Sequence, residues 1–265
     1  MEEALTGHAG DAGTRRPRAR PRTSVIGVIG EVLITAGVIT LLYVVWQLWV
    51  GDIIYGAEHN ATGKELSEVW AQEYTAPPPT PEATPTEDET PADAVTAAPI
   101  ILAEPGDAET FGVLRVPRFG ADYAVPMAGG VTRARTLDPI GIGHYPGTSM
   151  PGEPGNFAVA AHRTTWGKPF NRIADLRVGD PIVVETEGGW YTYRFRTLEY
   201  VRPDAVDVLL PVPQAMDVPP GTSYITMTSC SPMYSLAERI VAYGVFESFT
   251  PRTAGEPPAL SEAGA

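Results

Sequence analysis

Tyr224-Ile225-Thr226-Met227-Thr228-Ser229-Cys230 alternates apolar with small polar side chains and ends on the chain's single cysteine. That alternation is the pattern of a half-buried β-strand. Successive side chains of a strand point to opposite faces, so Thr226, Thr228 and Cys230 share one face and Ile225, Met227 and Ser229 the other. A lone thiol has no intrachain disulfide partner. Cys230 closes its strand, a turn containing Pro232 follows, and Arg239 opens the next apolar run. If these two strands pair antiparallel, Cys230 and Arg239 face each other across the mouth of the hairpin. A buried structural cysteine is the ordinary alternative for such a residue.

Working outward, short β-patterned runs punctuated by Gly and Pro fill the rest of this region. Phe111 to Pro117 and Ala121 to Val125 read as early strands, Asn156 to His162 as a third and Pro181 to Glu185 as a fourth. Trp190 to Val201 alternates aromatic and polar residues behind a Gly188-Gly189 turn, as the second arm of a hairpin does. With Tyr224 to Cys230 and Arg239 to Phe249, the count reaches seven strands, and a short helix is expected near Phe170 to Leu176. So many short strands over about 140 residues point to a mostly β, closed or nearly closed barrel. The third strand delivers His162 into a polar turn, on the same face as Ala158 and Ala160.

The flanks differ in composition. Residues 1–24 form a Pro- and Arg-rich tail. The run 25–50 is apolar and long enough for a transmembrane helix, and Arg15, Arg16, Arg18, Arg20 and Arg22 before it place the N-terminus in the cytoplasm by the positive-inside rule. Residues 51–110 then form an extracellular juxtamembrane segment and a Pro- and acid-rich linker, with a short helix expected at Thr62 to Tyr74. Asn60-Ala61-Thr62 fits the N-glycosylation triplet. The net charge of −13 belongs mostly to this linker: residues 76–110 hold eight acidic and no basic residues, whereas 111–250 hold thirteen acidic and twelve basic. That balance excludes the basic footprint of a nucleic-acid binder. The barrel is bounded at 111–250, and 251–265 read as a disordered tail.

A thiol, an imidazole and a guanidinium at strand ends suit acyl transfer. A thiolate attacks carbonyl carbon, a histidine can protonate a leaving amine, and an arginine can hydrogen-bond an oxyanion. The scattered histidines form no metal-ligand cluster, so neither a metal nor a cofactor is expected.

Thr226-Met227-Thr228-Ser229-Cys230 resembles the TLxTC signature of sortases, the membrane-anchored cysteine transpeptidases of Gram-positive bacteria. Arg239 matches the family's cysteine-to-arginine spacing. Ala161-His162-Arg163-Thr164-Thr165, followed by Pro169-Phe170, Leu176 and Gly179-Asp180, resembles the segment around the family's catalytic histidine. Met227 stands for the usual Leu, Ser229 for Thr and Ala161 for a common Gly, all small changes. The blocks Gly143-His144-Tyr145-Pro146-Gly147-Thr148 and His162 to Gly167 are most similar to class E, the actinobacterial housekeeping sortases. The resemblance covers Phe111 to Phe249. It implies a sortase-like closed barrel of seven to eight strands with short helices, preceded by one transmembrane helix. It further implies Cys230 as nucleophile, His162 as general acid/base and Arg239 as oxyanion or substrate stabiliser, with Thr228 and Ser229 lining the site. A tyrosine at the position of Tyr145 is linked in that class to preference for LAxTG over LPxTG signals. The implied reaction cleaves a C-terminal sorting signal between Thr and Gly through a thioester. The protein is then joined to the amine of a lipid-linked peptidoglycan precursor. The implied partners are signal-bearing surface proteins, that precursor and the cytoplasmic membrane.

Two other readings stay open at this level: an exported cysteine peptidase of the same architecture, and a non-catalytic wall-binding barrel in which Cys230 is merely buried. A nucleophilic Cys230 should be alkylated rapidly and pH-dependently in the folded protein. Labelling only after denaturation would mark it as structural.

Overall fold

Residues 24–46, 50–73 and 97–262 are described by the computed structural model. The chain divides into two units, residues 1–45 and 46–265. In the first, helix α1 (Val25–Val45) is long and apolar enough to cross a membrane, as its composition led us to expect. The Arg-rich tail before it lies outside the described residues.

In the second unit the β-patterned runs become eight strands: β1 (Thr110–Arg115), β2 (Val125–Gly129), β3 (Ile142–His144), β4 (Gly155–Ala161), β5 (Pro181–Thr186), β6 (Gly189–Val201), β7 (Ser223–Ser231) and β8 (Glu238–Pro251). They close into a barrel in the order β1-β2-β3-β4-β7-β8-β6-β5, with β5 pairing back onto β1. The β2–β3 and β4–β7 pairs are parallel and the other six antiparallel. Inward positions of alternating strands fill the interior: Leu114, Met127, Ile142, Phe157, Val159, Ile182, Tyr191, Tyr193, Ile225 and Met227 form one buried cluster. On β7 this puts Ile225 and Met227 inside, leaving Thr226, Thr228 and Cys230 on the outer face.

Three local differences from the sequence reading have physical causes. The run 121–124 is not a strand: the Ala124 N–H donates to Asn60 Oδ1 at 2.7 Å, and Tyr123 packs edge-on against Phe119 at 5.2 Å. With that backbone donor taken, β2 starts at Val125. The segment 170–176 holds a single 3-10 turn, Ile173–Asp175, in place of a longer helix. Strand β3 is only three residues long and joins β2 to β4.

Helix α2 (Gly51–Glu73) is longer than the expected short helix and packs against β1, β2 and β5. Its buried face is small and polar: His59, Gly63 and Ser67. Gly63 lies so close to the barrel that an added Cβ would sit 2.1 Å from the Ala124 carbonyl oxygen. Both ends of the Asn60 amide are spent, on Ala124 and on the Gly56 carbonyl at 2.7 Å, so the glycosylation triplet falls in a packed seam.

The expected loose tail after Pro251 is folded as far as Glu262. Arg252, on a 3-10 turn, is buried: it donates to Glu185 Oε1 at 2.9 Å and to the Glu187 and Thr186 carbonyls, and lies over the Trp190 ring at 4.7 Å. Glu185 Oε2 accepts from Arg115 at 2.6 Å and from Ser67 at 2.9 Å. One carboxylate, 1% exposed, therefore ties together α2, β1, β5 and the chain after β8. Removing one member of a buried pair leaves an uncompensated charge, so Arg252→Ala should lower the unfolding free energy by about 3 kcal/mol. Equilibrium denaturation checks this, and a loss within about 0.5 kcal/mol, the usual scatter of surface substitutions, would mean that the tail is loosely held.

Candidate active site

Because β4 and β7 run parallel, their C-terminal ends lie at the same rim. The register pairs Ala158 with Thr226 and Ala160 with Thr228, so one further alternation brings the positions of His162 and Cys230 alongside each other. On the other edge of β7, Cys230 pairs directly with Arg239 of β8. Cys230, His162 and Arg239 line one cleft of about 570 Å³. The cleft is thus built on the outer face of three adjacent strands.

His162 is held from its far side. Its Nε2 lies 2.6 Å from Asp138 Oδ1, and both side chains are mostly buried. A carboxylate there fixes the ring orientation and places the proton of the neutral ring on Nε2, leaving Nδ1 to exchange a proton. Cys230 is free and partly exposed. Its carbonyl accepts from Arg163 Nη1 at 3.3 Å, and Arg163, 7% exposed, has a buried Nε without a partner. Arg239 Nη1 donates to the Leu236 and Glu238 carbonyls at 3.2 and 2.9 Å, which braces the guanidinium on its own loop.

The remaining sequence-derived residues are also here, in different settings. The Tyr145 hydroxyl is 3.0 Å from Thr228 Oγ1, and both line the cleft. The turn after Tyr145 is capped by Glu104, whose Oε1 accepts from the Gly147 N–H at 2.7 Å. Ser229 faces inward from Thr228, and its hydroxyl donates to the Ala161 carbonyl at 2.8 Å, stitching β7 to β4. His144 is fully buried, stacked on Phe157 at 5.2 Å, with Nε2 3.0 Å from Thr148 Oγ1. Burial depresses its basicity, and it does not reach the cleft.

A sortase-domain model matches residues 114–247. Sortase SrtE2 of Streptomyces coelicolor is 30% identical over 92% of this chain and 89% of its own length. The chain belongs to the sortase family. Sortase SrtE1 of the same organism is 34% identical over 93% of the chain, which spans 65% of that relative's length. Among solved structures, the SrtA sortase from Actinomyces oris matches with a TM-score of 0.59 at 35% identity, over 62% of this chain and 94% of that one. Sortase E1 from Streptomyces coelicolor, solved with a tripeptide in its active site, matches with a TM-score of 0.54 at 37% identity, over 59% and 99% of the two chains. The fold expected from the strand pattern and the class E resemblance both hold. Sortases are cysteine transpeptidases, so the family supplies the reaction type.

Sequence reasoning missed Asp138, the buried Arg163 and the exposed Tyr234 and Leu236 at the mouth of the cleft. Asp138 ends a turn of π-helical geometry (Arg133–Leu137), which no periodicity announces. Arg163 stood inside the quoted histidine block, where its adjacency to His162 was the available signal. Asp138→Asn should loosen the tautomer preference of His162, visible as a change in its ring 15N shifts. An unchanged spectrum would show that Asp138 does not set the tautomer.

Proposed function

We propose that this sortase is a membrane-anchored transpeptidase acting on C-terminal sorting signals, with Cys230 as nucleophile, His162 as general acid/base and Arg239 as stabiliser of the acyl oxygen. The observation that carries the reading is the shared rim of β4, β7 and β8, which lines one cleft with the three side chains while Asp138 orients the imidazole.

In the first half-reaction the Cys230 thiol gives its proton to Nδ1 of His162 as the sulfur attacks the Thr carbonyl carbon of the signal. The negative charge that develops on the carbonyl oxygen is met by the Arg239 guanidinium, a planar fork of donors that stays charged. The C–N bond to Gly then breaks, and His162 delivers a proton to the departing amine. In the second half-reaction an acceptor amine attacks the thioester and gives up a proton to the imidazole, and Sγ leaves and takes that proton to regenerate the thiol and the neutral ring. A peptidoglycan-precursor amine is the acceptor that the reading assigns. The apolar side chains of Leu137, Val131, Tyr234 and Leu236 supply a greasy wall for the signal's leucine, while the Tyr145–Thr228 pair borders the position that separates LAxTG from LPxTG. Helix α1 anchors the chain, with the Arg-rich N-terminus cytoplasmic and the barrel outside.

The test is incubation of the protein with LAxTG and LPxTG peptides, with and without an amine that mimics the precursor. We expect amine-dependent transfer product, favouring LAxTG, and its loss in Cys230→Ala. Water-only cleavage with no aminolysis would favour a peptidase, and turnover by Cys230→Ala near the wild-type rate would end the thioester mechanism. Arg239→Lys keeps the charge but not the fork, and should lower transfer on the order of 10²-fold, as loss of an oxyanion donor does. Wild-type transfer in that variant would reduce Arg239 to a point charge.

A further inference from the structure

We propose that His59 of α2 is a positioning residue for the His162–Asp138 pair, so that the helix entering the barrel forms the back wall of the active site. The inference rests on the reading of His162 as the acid/base.

Both segments that carry the pair abut the same turn of α2. On the His162 side, the loop 162–169 meets the helix at Gly167, where an added Cβ would lie 2.8 Å from the Gly56 backbone nitrogen and 3.0 Å from His59 Nδ1. Trp166 stacks obliquely on Tyr55 with ring centroids 4.9 Å apart, and Lys168 Nζ pairs with Asp52 Oδ2 at 3.0 Å. On the Asp138 side, the backbone of Pro139, the residue next to Asp138, lies near enough to the His59 ring to oppose part of the loss of basicity that burial imposes on it. The ring also lies against Gly141, where an added Cβ would come within 3.3 Å of Nδ1. His59 is 4% exposed and its Nδ1 has no partner, an arrangement that a helix needing only to pack would avoid.

The loop itself is held in an unfavourable form. Trp166 and Lys168, on either side of Gly167, adopt φ values of +53°. Bulky residues keep such a conformation only where the surroundings over-determine it. Here the surroundings are Asp52, Tyr55, Gly56 and His59, four residues within two turns of one helix. The imidazole of His162 is thus oriented through Asp138, and the two chain segments bearing that pair are set in place by α2. His59 touches neither substrate nor the reacting atoms, which is why we assign it a positioning role.

The experiment uses the full chain in detergent micelles, comparing His59→Phe, His59→Gln, Asp52→Asn, His162→Ala and Cys230→Ala. Phenylalanine keeps the ring volume but offers no polar atom to the two segments it abuts, whereas glutamine retains an N–H. For His59→Phe we expect kcat for peptide transfer to fall ten-fold or more, the scale on which small misplacements act. KM should stay within about two-fold, since the substrate wall is untouched. The pH profile of kcat and the His162 ring NMR signals should move together, and His59→Gln should restore most of both. Wild-type kcat, pH profile and His162 signals in His59→Phe would overturn the inference and leave His59 as packing alone. Should the His59 variants fail to fold, Asp52→Asn loosens the same seam without touching the buried ring. It carries the same expectation of lowered kcat at constant KM, and wild-type kinetics there would also overturn the inference. Turnover by His162→Ala would sink the acid/base reading itself. A dead His162→Ala beside a wild-type His59→Phe would sink only the role of His59.

Discussion

The parallel pairing of β4 with β7 is the constraint on which the site depends. Two strands that run the same way bring their C-terminal ends to one rim, and here those ends carry His162 and Cys230. Parallel neighbours need a long crossover. The chain supplies it with β5 and β6, which complete the far side of the barrel before β7 returns. The pairing also fixes the faces. A slip of one residue would exchange the inner and outer sets of β7, driving Cys230 into the core and Met227 out of it. The hydrophobic requirement of Ile225 and Met227 therefore indirectly specifies where the thiol points. Arg239 follows at no further cost, since β8 continues from the same hairpin.

A second organising centre lies at Glu185. Burying one carboxylate among two guanidinium groups and a serine hydroxyl is costly in desolvation unless every partner is present. It therefore couples α2, β1, β5 and the residues after β8 into one cooperative body. The barrel of this sortase is consequently larger than its strands. Its lateral wall includes a helix that precedes it in sequence by more than thirty residues.

How much of this could be read from residues alone follows the range of the interactions. Strands β6 and β7 carry strong alternation, β8 carries an apolar run opened by Arg239, and the Cys230–Arg239 pairing is a local hairpin, so these were legible. The approach of His162 was legible only through resemblance, because it is made by a pairing between distant segments. Asp138 reaches His162 from a turn with no periodic signature. Helix α2 misled for a specific reason. The apolar periodicity of Leu66, Val69 and Trp70 pointed to one face, but the barrel accepts the stripe of His59, Gly63 and Ser67, where close approach and hydrogen bonding replace hydrophobic burial. Arg252 was hidden by its surroundings: a Pro-, Gly- and Ala-rich stretch reads as loose, and its partner Glu185 is 67 residues away.

The seating of α2 changes what the Pro- and acid-rich stretch can be. The chain leaves the barrel at Glu73, the end of a helix docked on it, and is back on its surface by Ile100, whose carbonyl accepts from the Tyr191 hydroxyl, and by Glu104, which caps the Gly147 turn. Residues 74–96 thus join two fixed points on one body, and their length sets no stand-off distance. A cut in the chain between Glu73 and Ala97 would leave in place the described contacts that seat α2. The product would be a two-piece sortase, its helix and barrel held together noncovalently.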